Sequence, residues 1–312
     1  SYAFSNCKKI SCDLTLPESL KAIDEKAFSD CSGLTGLTFG HALESIAKNA
    51  FSNCLSLVGD LKFHDNLIEI GDSCFQGCSN LNGILSLPSS IKKIGSLCFF
   101  NLENLRGNIT LPNVESIGES AFEGCKSLSD SIEIGNSCTE IGERAFTSCS
   151  GLKGHLSLSN KLENLKEYTF YGCSGLTGTL TIPESILTIG QYCFRYCSSF
   201  SKLVFDLNSN LKYIDAYSFE GCTGFKGDLV IPSKVEKIDD YAFAHCSGFN
   251  GSLSFEDTIK TISIGAFSKC SGFSKLLFSP TSNITINDRA FEDCSGFRGP
   301  LTLPDKITDI GR

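Results

Sequence analysis

A phenylalanine returns about every 24 residues along this chain, preceded by a small residue and followed three positions later by cysteine. Between Phe4 and Phe291 the chain makes twelve such steps, and only Phe99 departs, with Leu102 in the cysteine position. A fixed period of this length is the signature of a repeat architecture, in which each unit stacks on the next. The pairs are Phe4/Cys7, Phe28/Cys31, Phe51/Cys54, Phe75/Cys78, Phe122/Cys125, Phe146/Cys149, Phe170/Cys173, Phe194/Cys197, Phe219/Cys222, Phe243/Cys246, Phe267/Cys270 and Phe291/Cys294.

Each repeat contains two short apolar segments and a turn. In the clearest copy, Leu180-Thr-Ile182 alternates as a half-buried strand does, and Pro183 ends it because proline lacks a ladder donor. The stretch from Ile186 to Ile189 predicts a second short strand. A Gly, Asp or Asn then starts a turn, and the small residue and Phe continue it as a turn or a single short helix.

Stacking of the repeats turns like positions into columns. The Phe column and the Ile column five residues before it, as at Ile189, predict a continuous core that no single repeat could bury. The position before Phe accepts only small residues. Three residues after the cysteine the column is mostly Leu up to Leu176 and then Phe from Phe200 to Phe297, which predicts a bulkier edge in the later repeats.

Twelve of the seventeen cysteines belong to the repeated position, so their spacing serves packing. Free cysteine behaves as a small buried hydrophobe, and a parallel stack rarely aims two Cβ vectors suitably for a disulfide. We therefore predict buried, reduced thiols and no metal site.

The succession Leu-x-Ile-Pro, Ile-Gly-x-x-Ala-Phe, x-x-Cys-x-x-Leu resembles the BspA-like, or treponemal-type, leucine-rich repeats of surface proteins. The resemblance covers essentially the whole chain and implies a right-handed solenoid and a role in adhesion, with no catalytic residues to carry over. The expected fold is a leucine-rich-repeat solenoid of about thirteen repeats of 23–25 residues. Its parallel β-sheet should line the concave face, with short helical or 3₁₀ turns and short strands elsewhere. Residues 1–312 are expected to form a single array, truncated within repeats at both ends.

Charge and composition argue against several classes of function. The net charge of −8 disfavours a basic surface that binds the phosphate backbone of DNA or RNA, so nucleic acid is not an expected partner. No apolar run reaches the length of a membrane span. The four histidines fall in different registers, and no nucleotide-binding loop occurs, so we expect no enzyme activity and no cofactor.

The middle residue of each first strand should point outward, because its two apolar neighbours point inward. This column is largely Thr and Ser in the early repeats, whereas Val204, Val230 and Leu277 interrupt it later. Threonine also suits any half-exposed strand, so the column alone does not require a binding function. The candidate binding face consists of Thr181, Val204, Val230, Ser254, Leu277 and Thr302.

Two functions remain open from the sequence. The first is the ligand-binding ectodomain of a cell-surface or secreted adhesin that recognises host matrix or cell-surface proteins. The second is an intracellular interaction scaffold of the same fold, in the cytoplasm. Asn108, Asn250 and Asn283 begin possible N-glycosylation triplets, which only a secreted protein would use.

Overall fold

The structure is a computed structural model that describes residues 1–307 and 309–312. Its described residues group into two units, a first unit of Ser1–Ser159 and a second unit of Asn160–Arg312. Each unit is built from short parallel strands, two to a turn, which pair with the equivalent strands of neighbouring turns. This is the parallel β-solenoid that the repeat predicts.

In the first unit, the even-numbered strands form one six-stranded parallel sheet in the order β12-β10-β8-β6-β4-β2. The odd-numbered strands form three smaller parallel sheets, β1-β3, β5-β7 and β9-β11-β13. The strands are β1 (Asp13–Thr15), β2 (Ala22–Ile23), β3 (Gly36–Thr38), β4 (Ser45–Ile46), β5 (Leu61–Lys62), β6 (Glu69–Ile70), β7 (Leu85–Ser86), β8 (Lys93–Ile94), β9 (Ile109–Leu111), β10 (Ser116–Ile117), β11 (Ile132–Ile134), β12 (Glu140–Ile141) and β13 (Leu156–Ser157).

The second unit repeats this plan. Its even-numbered strands form a six-stranded parallel sheet, and its odd-numbered strands form the sheets β15-β17 and β19-β21-β23. The strands are β14 (Asn164–Leu165), β15 (Gly178–Ile182), β16 (Thr188–Ile189), β17 (Phe200–Phe205), β18 (Tyr213–Ile214), β19 (Leu229–Val230), β20 (Lys237–Ile238), β21 (Ser252–Phe255), β22 (Thr261–Ile262), β23 (Lys275–Phe278) and β24 (Thr285–Ile286).

The predicted core columns are confirmed within each unit. In the first unit the Ile column pairs in register, as in Ile46 with Ile70, and in the second Ile238 pairs with Ile262. The Phe rings stack in parallel, with centroids 5.2–5.7 Å apart in the first unit and 4.9–5.6 Å in the second. The residue before each Phe is buried from Ala27 to Ala290, which explains why only small side chains occur there.

The segment around each Phe is a run of hydrogen-bonded turns, so of the two predicted alternatives the turn is confirmed and the short helical or 3₁₀ segment is wrong. Within the described part of the chain no helix occurs. In one turn Lys26 and Asp30, on either side of Phe28, have left-handed φ values of 54° and 59°. Alternate amides therefore point along the stack: Ala27 N–H donates to Asp24 O within the turn, whereas Phe28 N–H donates to Ala50 O of the next turn. A helix would keep all these bonds within one segment.

The repeated cysteine has a bonding role that spacing alone did not indicate. In the part of the chain that the structure describes, at least ten of these thiols donate to the backbone carbonyl of the Phe one turn earlier, as Cys125 Sγ does to Phe99 O at 3.0 Å. Only a protonated thiol can donate such a bond. Burial is confirmed for all of the repeated cysteines except Cys7 and Cys294, which are half-buried. Reduction of the thiols in the native protein stays a prediction.

The described strands make up about eleven to twelve turns, slightly fewer than the predicted number of about thirteen. Part of the difference lies near the end of the chain, where Leu301-Thr302-Leu303 has the strand pattern but forms no strand in the described residues. A strand needs a partner for its backbone groups as well as an alternating sequence. The periodic pattern therefore overcounts the turns.

Candidate binding face

Most members of the candidate face have side chains that point towards the solvent. On β15 and β19 the residues that flank Thr181 and Val230 are buried, which turns these two side chains to the solvent. Val230 is 55% exposed and Leu277 is 47% exposed, which is unusual for aliphatic side chains placed on paired strands. Val204 and Ser254 are half-buried.

These residues do not form one uninterrupted row. Thr181 pairs with Val204, and separately Val230 pairs with Ser254, which pairs with Leu277. Thr302 is exposed but lies on no strand, so its predicted place at the end of the row is wrong. The face of the second unit is therefore two short ladders.

A cleft of about 580 Å³ lies between the two ladders. The strands β17 and β19 on either side of it do not pair in the part of the chain that the structure describes. The loop after β17 is two residues longer than the equivalent loop one turn earlier, since Ile182 pairs with Phe205, 23 residues on, whereas Ile189 pairs with Ile214, 25 residues on. This longer loop places Leu207 beside the cleft.

The cleft combines apolar walls with a few carboxylates. Val204, Leu207, Val230 and Pro232 line it, and the Leu207 side chain is completely exposed at 103%. Asp228, also in the lining, accepts a hydrogen bond from Ser252 N–H at 2.6 Å, which fixes one wall. Such a surface can accept apolar side chains of another molecule. Sequence reasoning missed the cleft and Leu207, although the 25-residue step at this place was its visible signal.

The outward column of the first unit is polar throughout. Its members, all exposed, are Thr15, Thr38, Lys62, Ser86, Thr110, Glu133 and Ser157. A second cleft of about 540 Å³ lies beside β3 and β5, and Lys62, Asp60 and His64 are among its lining residues. Lys62 and Asp60 form an ion pair at 2.7 Å. This face therefore offers charged and hydroxyl groups where the second unit offers aliphatic ones.

The three possible glycosylation sites are exposed. Asn108 donates a hydrogen bond from Nδ2 to Thr110 Oγ1 at 3.1 Å, and Asn250 Oδ1 accepts one from Gly227 N–H at 2.9 Å. Exposure is the condition that a glycosylation acceptor must meet, and whether the sites are used stays a prediction.

The described residues contain no group of three or more His, Cys, Asp or Glu side chains arranged to hold a metal ion. Among the same residues there is no helix with the length and apolar character that a membrane crossing requires. Each unit is a stack of parallel turns whose outward side chains differ in chemistry from one turn to the next. This defines a class of protein, the repeat solenoids, that is suited to protein interaction.

The chain belongs to the family described as BspA type leucine rich repeat region, whose model matches residues 1–129, 128–250 and 201–312. The family has a generally non-enzymatic interaction fold. A search of curated protein sequences finds no significant match.

Several solved structures are similar to this chain. A leucine-rich repeat protein from Eubacterium ventriosum is 19% identical, with 94% of this chain and 86% of that chain covered and a TM-score of 0.50. A leucine rich cell surface protein from Faecalibacterium prausnitzii is 17% identical over 92% of this chain and 86% of that one, with a TM-score of 0.45. A leucine rich repeat protein of T. pallidum is 24% identical over 60% and 77%, with a TM-score of 0.42.

Proposed function

We propose that this protein is a non-enzymatic interaction module, the ligand-binding ectodomain of a cell-surface adhesin that recognises host matrix or cell-surface proteins. The proposed contact surface is the apolar face of the second unit, formed by Val204, Leu207, Val230 and Leu277 with the cleft beside them. A surface location is inferred from the resemblance of the repeat to those of surface proteins.

The observation that supports this surface is the exposure of aliphatic side chains at positions that the first unit fills with polar ones. Val230 and Leu277 lie on either side of Ser254 on three paired strands, and Leu207 projects fully from the neighbouring loop. Exposed apolar groups that lie close together mark interaction sites more often than scattered ones do. Burying one such side chain against a partner contributes roughly 1.5–3 kcal/mol.

Replacing Val204, Val230 and Leu277 together by Ser tests the proposal. Because these side chains are largely outside the core, the thermal midpoint should change little, while binding to immobilised extracellular matrix or to cultured host cells should fall at least tenfold, about 1.4 kcal/mol. The matched control replaces Thr15, Thr38 and Thr110 of the first unit by Ser and should bind as the parent does. Full binding by a folded Val/Leu variant would contradict the proposed surface.

An intracellular scaffold is the second candidate, and the thiols favour it. Within the described residues no cysteine forms a disulfide, and buried thiols that donate hydrogen bonds persist most readily in a reducing compartment. Analysis of the protein from its native cell separates the two candidates. Glycan on Asn108, Asn250 or Asn283, or recovery at the cell surface, supports the adhesin, whereas unmodified protein in the cytosolic fraction supports the scaffold.

A further inference from the structure

Six of the eight tyrosines lie together on the second unit. Four of them, Tyr168, Tyr192, Tyr217 and Tyr241, stand two residues before the Phe of successive turns and stack as a tyrosine ladder. Their ring centroids are 4.6, 5.0 and 5.3 Å apart. Tyr171 and Tyr196 lie beside the ladder and contact each other edge to face at 5.8 Å. This cluster is distinct from the apolar face proposed above, because it occupies a different position of each turn.

The fold itself does not call for tyrosine here. Every residue at this position has a left-handed φ, from 52° to 59° in the eight copies from Lys26 to Tyr192. Asn and Gly adopt that conformation most easily, and a bulky side chain gains nothing from it. In the first unit the same position holds Tyr2 in the first turn and then Lys26, Asn49, Ser73, Leu97, Ser120 and Arg144, so tyrosine is not the rule there. Four consecutive tyrosines therefore indicate a role for the side chains.

The cluster already binds one guanidinium group. Arg195 Cζ lies 4.6 Å from the ring centroid of Tyr196, 5.3 Å from that of Tyr192 and 5.5 Å from that of Tyr217. Its Nε lies 2.5 Å from Glu220 Oε2. Tyr196 nevertheless stays 42% exposed. The rings thus show how an arginine side chain fits among them and leave further ring surface open.

The surroundings of the ladder are acidic. Glu167 and Asp240 directly precede its two terminal tyrosines, and both carboxyl groups lie outside the core. Burial raises the pKa of Tyr217, and the neighbouring Tyr192 and Tyr241, followed by Glu220 and Asp240, raise it further. The whole chain has a net charge of −8. Aromatic rings flanked by carboxylates attract cations by both cation–π and Coulomb interactions.

We propose that the tyrosine ladder and its two neighbours form a second interaction surface, which binds arginine-rich basic segments of partner proteins. Tyr and Arg are the residue types that most often supply binding energy at protein interfaces. The rings are already ordered by stacking, so little side-chain entropy is lost on binding. A carbohydrate is the less favoured occupant, because it brings no positive charge to the carboxylates beside the rings. The proposal does not depend on the function of the apolar face.

Binding of labelled oligoarginine and oligolysine peptides of equal length, measured by fluorescence anisotropy, tests this proposal. The parent chain should bind oligoarginine about tenfold more tightly, because guanidinium groups stack on rings better than ammonium groups do. Since the chain has no Trp, its tyrosine emission should also change on titration with unlabelled oligoarginine. Equal affinity for the two peptides would overturn the proposal.

The decisive variant replaces Tyr168, Tyr192, Tyr217 and Tyr241 by Asn, which suits the left-handed conformation and leaves the net charge unchanged. It should lose the preference for arginine while keeping the weak, salt-sensitive binding of both peptides. The control is Tyr213→Thr, which removes a 42% exposed tyrosine on β18, outside the cluster, and should keep the preference. A folded ladder variant that still prefers arginine would overturn the proposal.

If the fourfold variant does not fold, Tyr196→Asn alone serves the same purpose, since Tyr196 is exposed and has a φ of 63°. It should lower oligoarginine affinity about threefold. Unchanged affinity would count against the proposal. So would ladder-dependent binding of a neutral oligosaccharide in place of the basic peptide.

Discussion

The two units are built from the same turn but differ where the turn meets solvent. Both have a stacked Phe column, a paired Ile column and thiols that donate to the Phe carbonyls. Outward, the first unit presents hydroxyls and charges, whereas the second presents Val230, Leu277 and the tyrosine ladder. A core position must fit the turns on both sides of it, so it can hardly vary. An outward position has no such constraint, so the outward residues that differ between the units are the candidates for a role in binding.

One core column also differs between the units. Three residues after the repeated cysteine the first unit has Leu, as at Leu128, and the second has Phe from Phe200 onward, as at Phe249. Both are completely buried. Phe249 stacks on Phe273 with 4.8 Å between ring centroids, so the later turns have a second aromatic column in addition to the first. The bulkier edge predicted from the sequence is confirmed.

Alkaline pH should have the largest effect, and it should act on both units alike. Burial raises the pKa of Cys125 in the first unit to about 12 and raises that of Cys222 in the second. A folded-state pKa above the unfolded value means that stability is complete below pH 8.5–9 and is lost as pH rises toward the folded pKa. Each such thiol costs about 1.4 kcal/mol per pH unit in that range. With several thiols shifted, the chain should unfold well below pH 12.

Urea unfolding between pH 7 and 10.5, followed by hydrogen exchange in each unit, measures this loss. The variant Cys125→Ala is the control. It should be less stable at pH 7 but should lose less stability with rising pH, because one shifted thiol is gone. Constant stability from pH 8 to 10 would show that the thiols are not protonated donors in the folded chain.

Truncation of the shared Phe column should have the next largest effect and should again not distinguish the units. Phe122→Ala and Phe243→Ala each remove a completely buried ring with stacked neighbours on both sides. Each should lower the free energy of unfolding by about 3–5 kcal/mol, as measured by chemical denaturation. A difference of more than about 2 kcal/mol between the two would show that the columns are not equivalent.

The core columns could be predicted because every repeat contributes its core residues from the same positions, so these residues recur at a fixed period along the sequence. The turn around Phe28 was harder, because a small residue and Phe are compatible with a helix. Of the two left-handed residues that exclude a helix, Lys26 gives no sign of this conformation, whereas Asp30 is of a type that adopts it more readily. The position of Thr302 was predicted wrongly because a strand there requires a pairing partner, and an alternating apolar and polar sequence does not show whether one is present.

The binding features were only partly predictable for a similar reason. Val230 and Leu277 could be found because strand alternation fixes which side chains point outward. The cleft could not, since it results from β17 and β19 failing to pair across a loop. The tyrosine ladder was visible as four tyrosines at steps of 24, 25 and 24 residues, but only the structure shows the rings stacked around Arg195.

Exchanging Leu and Phe in the column three residues after the repeated cysteine tests whether the two units need different side-chain sizes in the core. Phe249→Leu places the first unit's residue in the second unit and should cost about 1–2 kcal/mol, because it leaves a void between Phe225 and Phe273. The reciprocal Leu128→Phe should cost about 1–3 kcal/mol through overpacking. Thermal and chemical denaturation measure both. If either exchange were neutral, the column would tolerate both sizes and the difference between the units would have no packing basis.

The smallest predicted effect concerns Ser218, which occupies the position before Phe219 that is Ala in most other turns. Its side chain is completely buried, and its hydroxyl has no hydrogen-bond partner among residues 1–307 and 309–312. A buried, unpaired hydroxyl costs about 1–3 kcal/mol, so Ser218→Ala should stabilise the chain by about 1 kcal/mol after the small loss of packing.

Thr169 is the contrasting residue, because its hydroxyl donates to Lys166 O at 2.8 Å, and Thr169→Ala should therefore destabilise the chain. Placing the hydroxyl in the first unit, by Ala121→Ser, should cost about 1 kcal/mol as well, since Ala121 is equally buried. Urea denaturation of the three variants measures these differences. Destabilisation by Ser218→Ala would mean that the hydroxyl is satisfied in the folded protein, and that this position of the second unit differs in kind from its equivalent in the first.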